Sequence, residues 1–315
     1  MPARPLVRPR PLGPSGRVAV AAPASAADPA LAEAGLAALR ARGLRVEAPV
    51  LDPVGYLAAP DEARVAALNA LLARDDLDAI LCLRGGYGLL RILDRIGYAA
   101  ARQRPKLVVG YSDVTALHLA LYAKAGLPGL AGPMVAPDWP RLDPETEALF
   151  WALAGGAAPV EIVGPGGEAL VGMRDGEVEG VLLGGNLALT GALLGTPYLP
   201  DLTGAILFVE DIGEAPYRID GLLARLRLAG HLEKLGGLVF GAFTECEPPP
   251  GRPTLALDEV LEHYAQYVPG PVARGLIYGH FPRKSTLPVG VRARLAVSGA
   301  NATLTVLEPV VEPLA

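Results

Sequence analysis

The stretch VVGYSDVTAL, residues 108–117, decides how this chain folds. An apolar run ends at Gly110, Ser112 and Asp113 follow, and a second apolar run begins at once. KLVVGY (106–111) reads as a strand, and DVTALHLALYAKAG (113–126) reads as a mostly apolar helix closed by Gly126. The same strand-then-helix alternation runs through everything before it. RVAVAAP (17–23), RVEAPV (45–50) and AILCLR (79–84) read as strands. PALAEAGLAALRARG (29–43) and DEARVAALNALLARDD (61–76) read as helices. LLRILDRIG (89–97) has apolar residues at 89, 92, 93 and 96, a helical spacing with Arg91, Asp94 and Arg95 opposite. Repeated β-α units predict a parallel sheet covered on both faces.

The pattern changes after Trp151. AGGAAPVEIVGPGGEALVGMRDG (154–176) is rich in Gly and Pro and has no helical period, so it reads as a linker with short strands. Beyond it, strands are predicted near 205–209, 236–241 and 275–278, and helices near 185–195, 217–229 and 256–266. A chain of 315 residues exceeds one ordinary core. The prediction is two domains, 1–155 and 178–315, joined by a linker at 156–177.

Composition narrows the function. The net charge is −5 and no basic tract is present, which argues against nucleic acid or an anionic membrane surface as partner. A small neutral or zwitterionic ligand remains. Cys82 and Cys246 are the only cysteines, without C-x-x-C spacing, so both are expected to be structural thiols in a reducing compartment. No H-E-x-x-H or comparable ligand cluster appears, so no metal is expected. The start, MPARPLVRPRPLGPSG, is basic, broken by prolines and without an apolar core, unlike a signal peptide. The nearly apolar region 181–209 is interrupted by Asn186, Pro197, Pro200 and Asp201, unlike a membrane span. The expected location is the cytoplasm.

In a parallel sheet, ligands bind at the carboxyl ends of the strands. Two loops stand at such ends, Arg84-Gly85-Gly86-Tyr87-Gly88 and Gly110-Tyr111-Ser112-Asp113. A serine on so tight a turn presents its oxygen to a cleft, as a nucleophile elbow does, and the next amide, that of Asp113, points where an oxyanion would form. The Gly85-Gly86 turn can bring a second amide close. Ser112 and Asp113 equally suit a plain helix N-cap, and Val114 stands where G-x-S-x-G has its last glycine. A serine nucleophile needs a base. Among the four histidines, His118 reads as a core residue, His231 as a helix-end residue and His263 as a surface residue. His280, in LIYGHFPRKSTLPVG, follows an apolar run and a glycine in a shaped loop. In GAILFVEDIGEAPYRIDGLL (204–223), Glu210 ends a buried run, and Asp211 and Glu214 suit the start of the next helix. Asn186, in LLGGNLALTGALLG, reads as a helix cap, with a ligand or interface role as the alternative.

Five segments in order, LCLRGGYGLLRILD, VVGYSDVTALHLAL, VLLGGNLALTGALLGTPY, LFVEDIGEAPYRIDGLL and IYGHFPRKSTLPVG, resemble the LD-carboxypeptidase (muramoyltetrapeptide carboxypeptidase) family, which also includes microcin-immunity proteins. The resemblance spans roughly residues 17–295. It implies an α/β fold, an N-terminal Rossmann-like parallel-sheet domain with a smaller C-terminal α/β domain, in a homodimer. It implies a serine peptidase without cofactor, with Ser112 as nucleophile, Glu210 as orienting acid and His280 as base. The implied oxyanion hole is Asp113 N–H with Gly86 N–H. The implied reaction is hydrolysis of the amide between an L-centre and the terminal D-alanine of a murein tetrapeptide, in peptidoglycan recycling. Such an enzyme must sense a free carboxylate, and Arg84, or less directly Arg218, offers the cation. One departure is Phe281-Pro282-Arg283-Lys284, where the family often has a Thr-x-Pro-like stretch. The alternatives are a microcin-immunity-type hydrolase of aminoacyl-adenylate-like compounds and a non-catalytic two-domain binding protein.

Overall fold

A computed structural model of the chain describes residues 5–164, 166–248, 251 and 253–313. The first four residues of the proline-broken start and Pro165 of the predicted linker lie outside these. Five strands of the first half form one parallel sheet: β1 (Arg17–Ala21), β2 (Arg45–Glu47), β3 (Ala79–Cys82), β4 (Leu107–Val109) and β5 (Gly129–Ala131), in the spatial order β2-β1-β3-β4-β5. β3 and β4 are buried at every residue. Strands covered on both faces are continuous apolar runs rather than alternating ones, which is why they were legible. The helices of this half are α1 (Pro29–Ala41), α2 (Asp61–Leu72), α3 (Tyr98–Gln103), α4 (Val114–Ala125) and α5 (Pro144–Ala154). The Asp28 carboxylate accepts from the amides of Ala30 and Leu31 and starts α1, with Pro29 in its first turn. α4 is buried along nearly its whole length and stops at Gly126.

The second half contributes β6 (Val160–Glu161), β7 (Leu170–Arg174), β8 (Gly176–Asn186), β9 (Ile206–Ile212), β10 (Gly237–Thr244), β11 (Val272–Arg274), β12 (Leu287–Val289), β13 (Val291–Ser298) and β14 (Asn301–Val306). Its helices are α6 (Leu187–Ala192), α7 (Pro216–Leu228) and α8 (Leu257–Ala265). All but β12 form one sheet, β13-β8-β9-β10-β11-β7-β14-β6, which curls back on itself because β13 also pairs with β14. Within it β8, β9, β10 and β11 are parallel, and the ladder sets Asn186 beside Glu210.

Three expectations need correction. The segment 89–97 is two 3₁₀ turns, Leu89–Arg91 and Leu93–Arg95, not a helix. Its apolar residues Leu89, Ile92, Leu93 and Ile96 are buried as their spacing requires. Its backbone, however, is held from outside: the Asp113 carboxylate takes the Leu89 amide, and Asn69 bonds both Arg95 O and Gly97 N. Secondly, the strand before His280 is Val272–Arg274, and residues 275–278 lie beyond it. Gly275 at φ 82 turns the chain out of the ladder, after which Leu276 and Tyr278 still bond β10 through Phe240 O and Ala242 N. Thirdly, the first sheet is not parallel throughout. β12 crosses from the second half and pairs antiparallel with β5, Leu287 opposite Ala131 and Val289 opposite Gly129. Its Pro288 has no amide to donate, which an edge strand tolerates.

Candidate active site

Between the end of β4 and the start of α4 stand only Gly110, Tyr111, Ser112 and Asp113. Ser112 has φ 64, in the left-handed region. That conformation costs an L-residue roughly 1–2 kcal/mol and persists only where its surroundings impose it. Here the Ser112 carbonyl accepts the Thr115 amide at 2.9 Å, opening α4, and the Gly110 amide donates to Leu130 O at 3.1 Å. His118 Nε2 donates to Gly110 O at 2.9 Å. His118 is buried, as expected of a core residue, and burial pushes its imidazole down to about 4. It braces the turn as a neutral donor.

The glycine loop after β3 packs directly on this turn. A Cβ on Gly85 would fall 3.0 Å from Ser112 Oγ. Gly86 has φ 100, and a Cβ there would fall 2.4 Å from Ser25 Oγ. Three side chains hold the loop. Ser25 Oγ accepts the Tyr87 amide at 3.0 Å, buried Arg64 donates to Gly88 O at 3.1 Å and to Pro23 O, and Asp113 Oδ2 accepts the Leu89 amide at 2.9 Å. Among the described residues, the amides of Gly86 and Asp113 have no hydrogen-bond partner. Asp113 thus stands at the start of α4 without capping it by side chain; its carboxylate serves the neighbouring loop.

Burial pushes the Asp113 carboxyl up to about 6, against the Leu89 amide bond and the Arg64 charge, which both lower it. A carboxyl that prefers its proton in the folded state contributes stability below about pH 4, and loses it as pH rises through about 6. Asp113→Asn keeps an acceptor oxygen for Leu89 without the charge. It is expected to be more stable than the natural chain at pH 8, by on the order of 1 kcal/mol, and equally stable near pH 4. Thermal melts at the two pH values check this; a lower melting temperature at pH 8 would contradict it.

The second half supplies a histidine and carboxylates. His280 Nδ1 lies 2.9 Å from Glu210 Oε2. Glu210 is fully buried, while the His280 side chain keeps 16% of its surface exposed. Asn186 Nδ2 donates to the other Glu210 oxygen at 3.3 Å and to Asp211 Oδ1 at 2.9 Å. Asn186 Oδ1 accepts the Leu189 amide, the cap its sequence suggested. Asp211, expected at the start of the following helix, instead accepts the Ala188 amide at the start of α6. Its other oxygen takes the Asn186 side chain and the Ile212 amide, so Asp211 is fixed against the start of α6.

These contacts form a closed ring across the two halves. Thr115, in the first turn after Ser112, accepts the Asn186 amide at 2.9 Å. Asn186 bonds Glu210, Glu210 bonds His280, and the His280 ring packs edge-on to the Tyr111 ring at 5.2 Å between centroids. Tyr111 is covalently joined to Ser112. Of the two candidate cations, exposed Arg84 donates to Ala26 O at 2.9 Å beside the glycine loop. Arg218 lies on exposed α7 surface, 3.6 Å from Glu214 and beside Tyr217. Local sequence did not single out Ser25, Arg64, Tyr111, Thr115 or Asp138. Asp138 lies shortly past the carboxyl end of β5, a three-residue strand that the sequence pattern did not predict.

Residues 18–132 match the LD-carboxypeptidase N-terminal domain, and residues 179–295 match the LD-carboxypeptidase C-terminal domain. The chain belongs to the LD-carboxypeptidase family. A probable murein peptide carboxypeptidase of Bacillus subtilis is 35% identical over 312 residues, covering 94% of each chain. The crystal structure of the muramoyltetrapeptide carboxypeptidase from Oxalobacter formigenes superposes with a TM-score of 0.83 at 32% identity, covering 93% of this chain and 99% of that one. The microcin C7 self-immunity protein MccF of Escherichia coli is 27% identical over 271 residues, 77% of this chain and 78% of that one. In this LD-carboxypeptidase family member, no helix of the described residues is long and apolar enough to cross a membrane.

Proposed function

We propose that the protein is a serine LD-carboxypeptidase that removes the terminal D-alanine from a murein tetrapeptide, in peptidoglycan recycling. Family membership and the two carboxypeptidase relatives support the reaction. The closed ring from Ser112 through Thr115, Asn186, Glu210, His280 and Tyr111 carries the site assignment. It ties a strained serine to a histidine–carboxylate pair, Glu210 and His280, contributed by the second half of the sequence. With the domains taken as 1–155 and 178–315, the nucleophile comes from one and the acid and base from the other.

In this reading His280 donates its Nδ1 proton to Glu210, which leaves Nε2 free as acceptor. Ser112 Oγ attacks the peptide carbonyl while Nε2 takes its proton. The amides of Gly86 and Asp113 receive the developing oxyanion. The imidazolium then protonates the nitrogen of D-alanine, which leaves. A water, deprotonated by His280, attacks the acyl-enzyme, and Ser112 recovers its proton. Asn186 holds the second Glu210 oxygen, so that acceptor is not left unpaired in a buried site. The cysteines are free and buried, and burial pushes the Cys82 thiol up to about 12. That fits structural thiols and a cytoplasmic enzyme; we take it to act as a homodimer, as the resemblance implies.

Removing a single residue requires recognition of its free carboxylate, and Arg84, next to the glycine loop, is our choice over Arg218. A charged hydrogen bond of roughly 1.5–3 kcal/mol is then at stake. A C-terminally amidated tetrapeptide is expected to be cleaved about 10- to 100-fold less efficiently in kcat/KM than the free acid. Arg84→Ala should shrink that gap. Hydrolysis of L-D- and D-D-linked tetrapeptides, free and amidated, followed by mass detection, tests the reading. Equal turnover of amidated and free peptide would sink it and turn attention to aminoacyl-adenylate-like substrates.

A further inference from the structure

One buried ion pair joins the two halves of the molecule beside the site and takes no part in the chemistry above. Lys284 Nζ lies 2.8 Å from Asp138 Oδ1, and both side chains are nearly inaccessible, at 1% and 4%. Asp138 comes from the segment after β5, and its other oxygen accepts the Met134 amide at 2.8 Å. Lys284 comes from the loop that carries His280, four residues further on. Its own amide donates to Thr146 Oγ1 at 3.1 Å, so the loop is tied to the first half by backbone and side chain alike.

A buried ion pair is poor economy as a stabiliser, because desolvation offsets most of the attraction. Its placement gives it another use. The ammonium sits 3.9 Å from the centroid of the Tyr111 ring, a close cation–π contact. The same ring meets His280 edge-on. The Tyr111 hydroxyl lies 3.5 Å from Asp138 Oδ1. Tyr111 is therefore held between the Lys284–Asp138 pair and His280, and the next residue in the chain is Ser112.

We propose that Lys284, paired with Asp138, is a positioning residue that seats the Tyr111 ring against His280 and so sets the base in register with Ser112. The inference rests on the nucleophile and base assigned above. It accounts for a lysine buried in the His280 loop against Asp138, and for an aromatic residue in front of the serine. Loss of the clamp shifts His280 relative to Ser112 without touching the substrate-binding surface. A displacement of about 1 Å in such a pair costs about 100-fold in rate.

The test uses three variants in a tetrapeptide hydrolysis assay. Lys284→Met/Asp138→Asn removes both charges together, so no unpaired charge is left buried. Tyr111→Leu leaves the ion pair in place and removes the ring. Ser112→Ala is the reference for the nucleophile. Expected for each of the first two is a kcat about 10- to 100-fold lower with KM within about threefold, and no further loss when they are combined. Folded double variant with unchanged kcat would overturn the proposal, since the pair would then be structural only. If the double variant does not fold, Tyr111→Leu decides: unchanged kcat overturns the proposal, and lowered kcat at constant KM supports it. Residual activity in Ser112→Ala would instead indict the nucleophile assignment, so the two failures are distinguishable.

Discussion

Ser112→Ala is expected to fold as the natural chain does and to lose hydrolysis by about 10⁴-fold or more in kcat. In the proposed mechanism the hydroxyl forms the bond to substrate; it makes none of the contacts that hold the turn, which run through the backbone of Gly110, Tyr111 and Ser112 and through Thr115 and Val114. Ser112→Gly is its companion. Glycine adopts φ 64 without cost, so this variant should be equally inactive yet more stable, by about 1 kcal/mol, than the natural chain. Steady-state kinetics and denaturant unfolding on the two variants check both halves of the statement. Retention of more than about a tenth of the natural rate in Ser112→Ala would mean that another group is the nucleophile.

His280→Ala should match Ser112→Ala in lost kcat, because in the proposed mechanism neither the serine nor the base acts without the other. Ser112→Ala/His280→Ala is then expected to be no slower than either single variant, since residues that act as one unit are strongly non-additive. Glu210→Gln should be milder. Its single amide oxygen can accept from only one of the two donors, His280 Nδ1–H or Asn186 Nδ2, and it cannot balance the imidazolium charge. Because Glu210 is fully buried, that charge has no water to turn to, and a loss between about 10- and 10⁴-fold is expected. Additive losses in the serine–histidine pair would remove the shared-unit mechanism.

Much of the fold was legible because its signals are short-ranged. Continuous apolar runs at 79–84 and 106–111 predicted strands buried on both faces, and Gly126 marked a helix end. The same spacing rules failed at 89–97. The apolar period there identified the buried side chains, but the backbone conformation was set by Asp113 and Asn69, which lie outside the segment. A strand was predicted near 275–278, but the ladder runs over Val272–Arg274 and left-handed Gly275 turns the chain out of it.

For the candidate site, the chain by itself determined which chemical groups stand at strand ends: a serine and an amide after β4, a glycine loop after β3, a carboxylate at the end of β9 and a histidine in the loop before β12. Turn chemistry and apolar periodicity act over a few residues, so they are written locally. What only the tertiary structure decided is which of these groups meet. The β8–β9 register sets Asn186 beside Glu210. The Glu210–His280 bond joins groups 70 residues apart, and the Lys284–Asp138 pair joins groups 146 apart. β12 completes the first half's sheet from the second half's sequence. Contacts of that length depend on the packing of two sheets against one another, and no local period in the sequence encodes the distance between their faces.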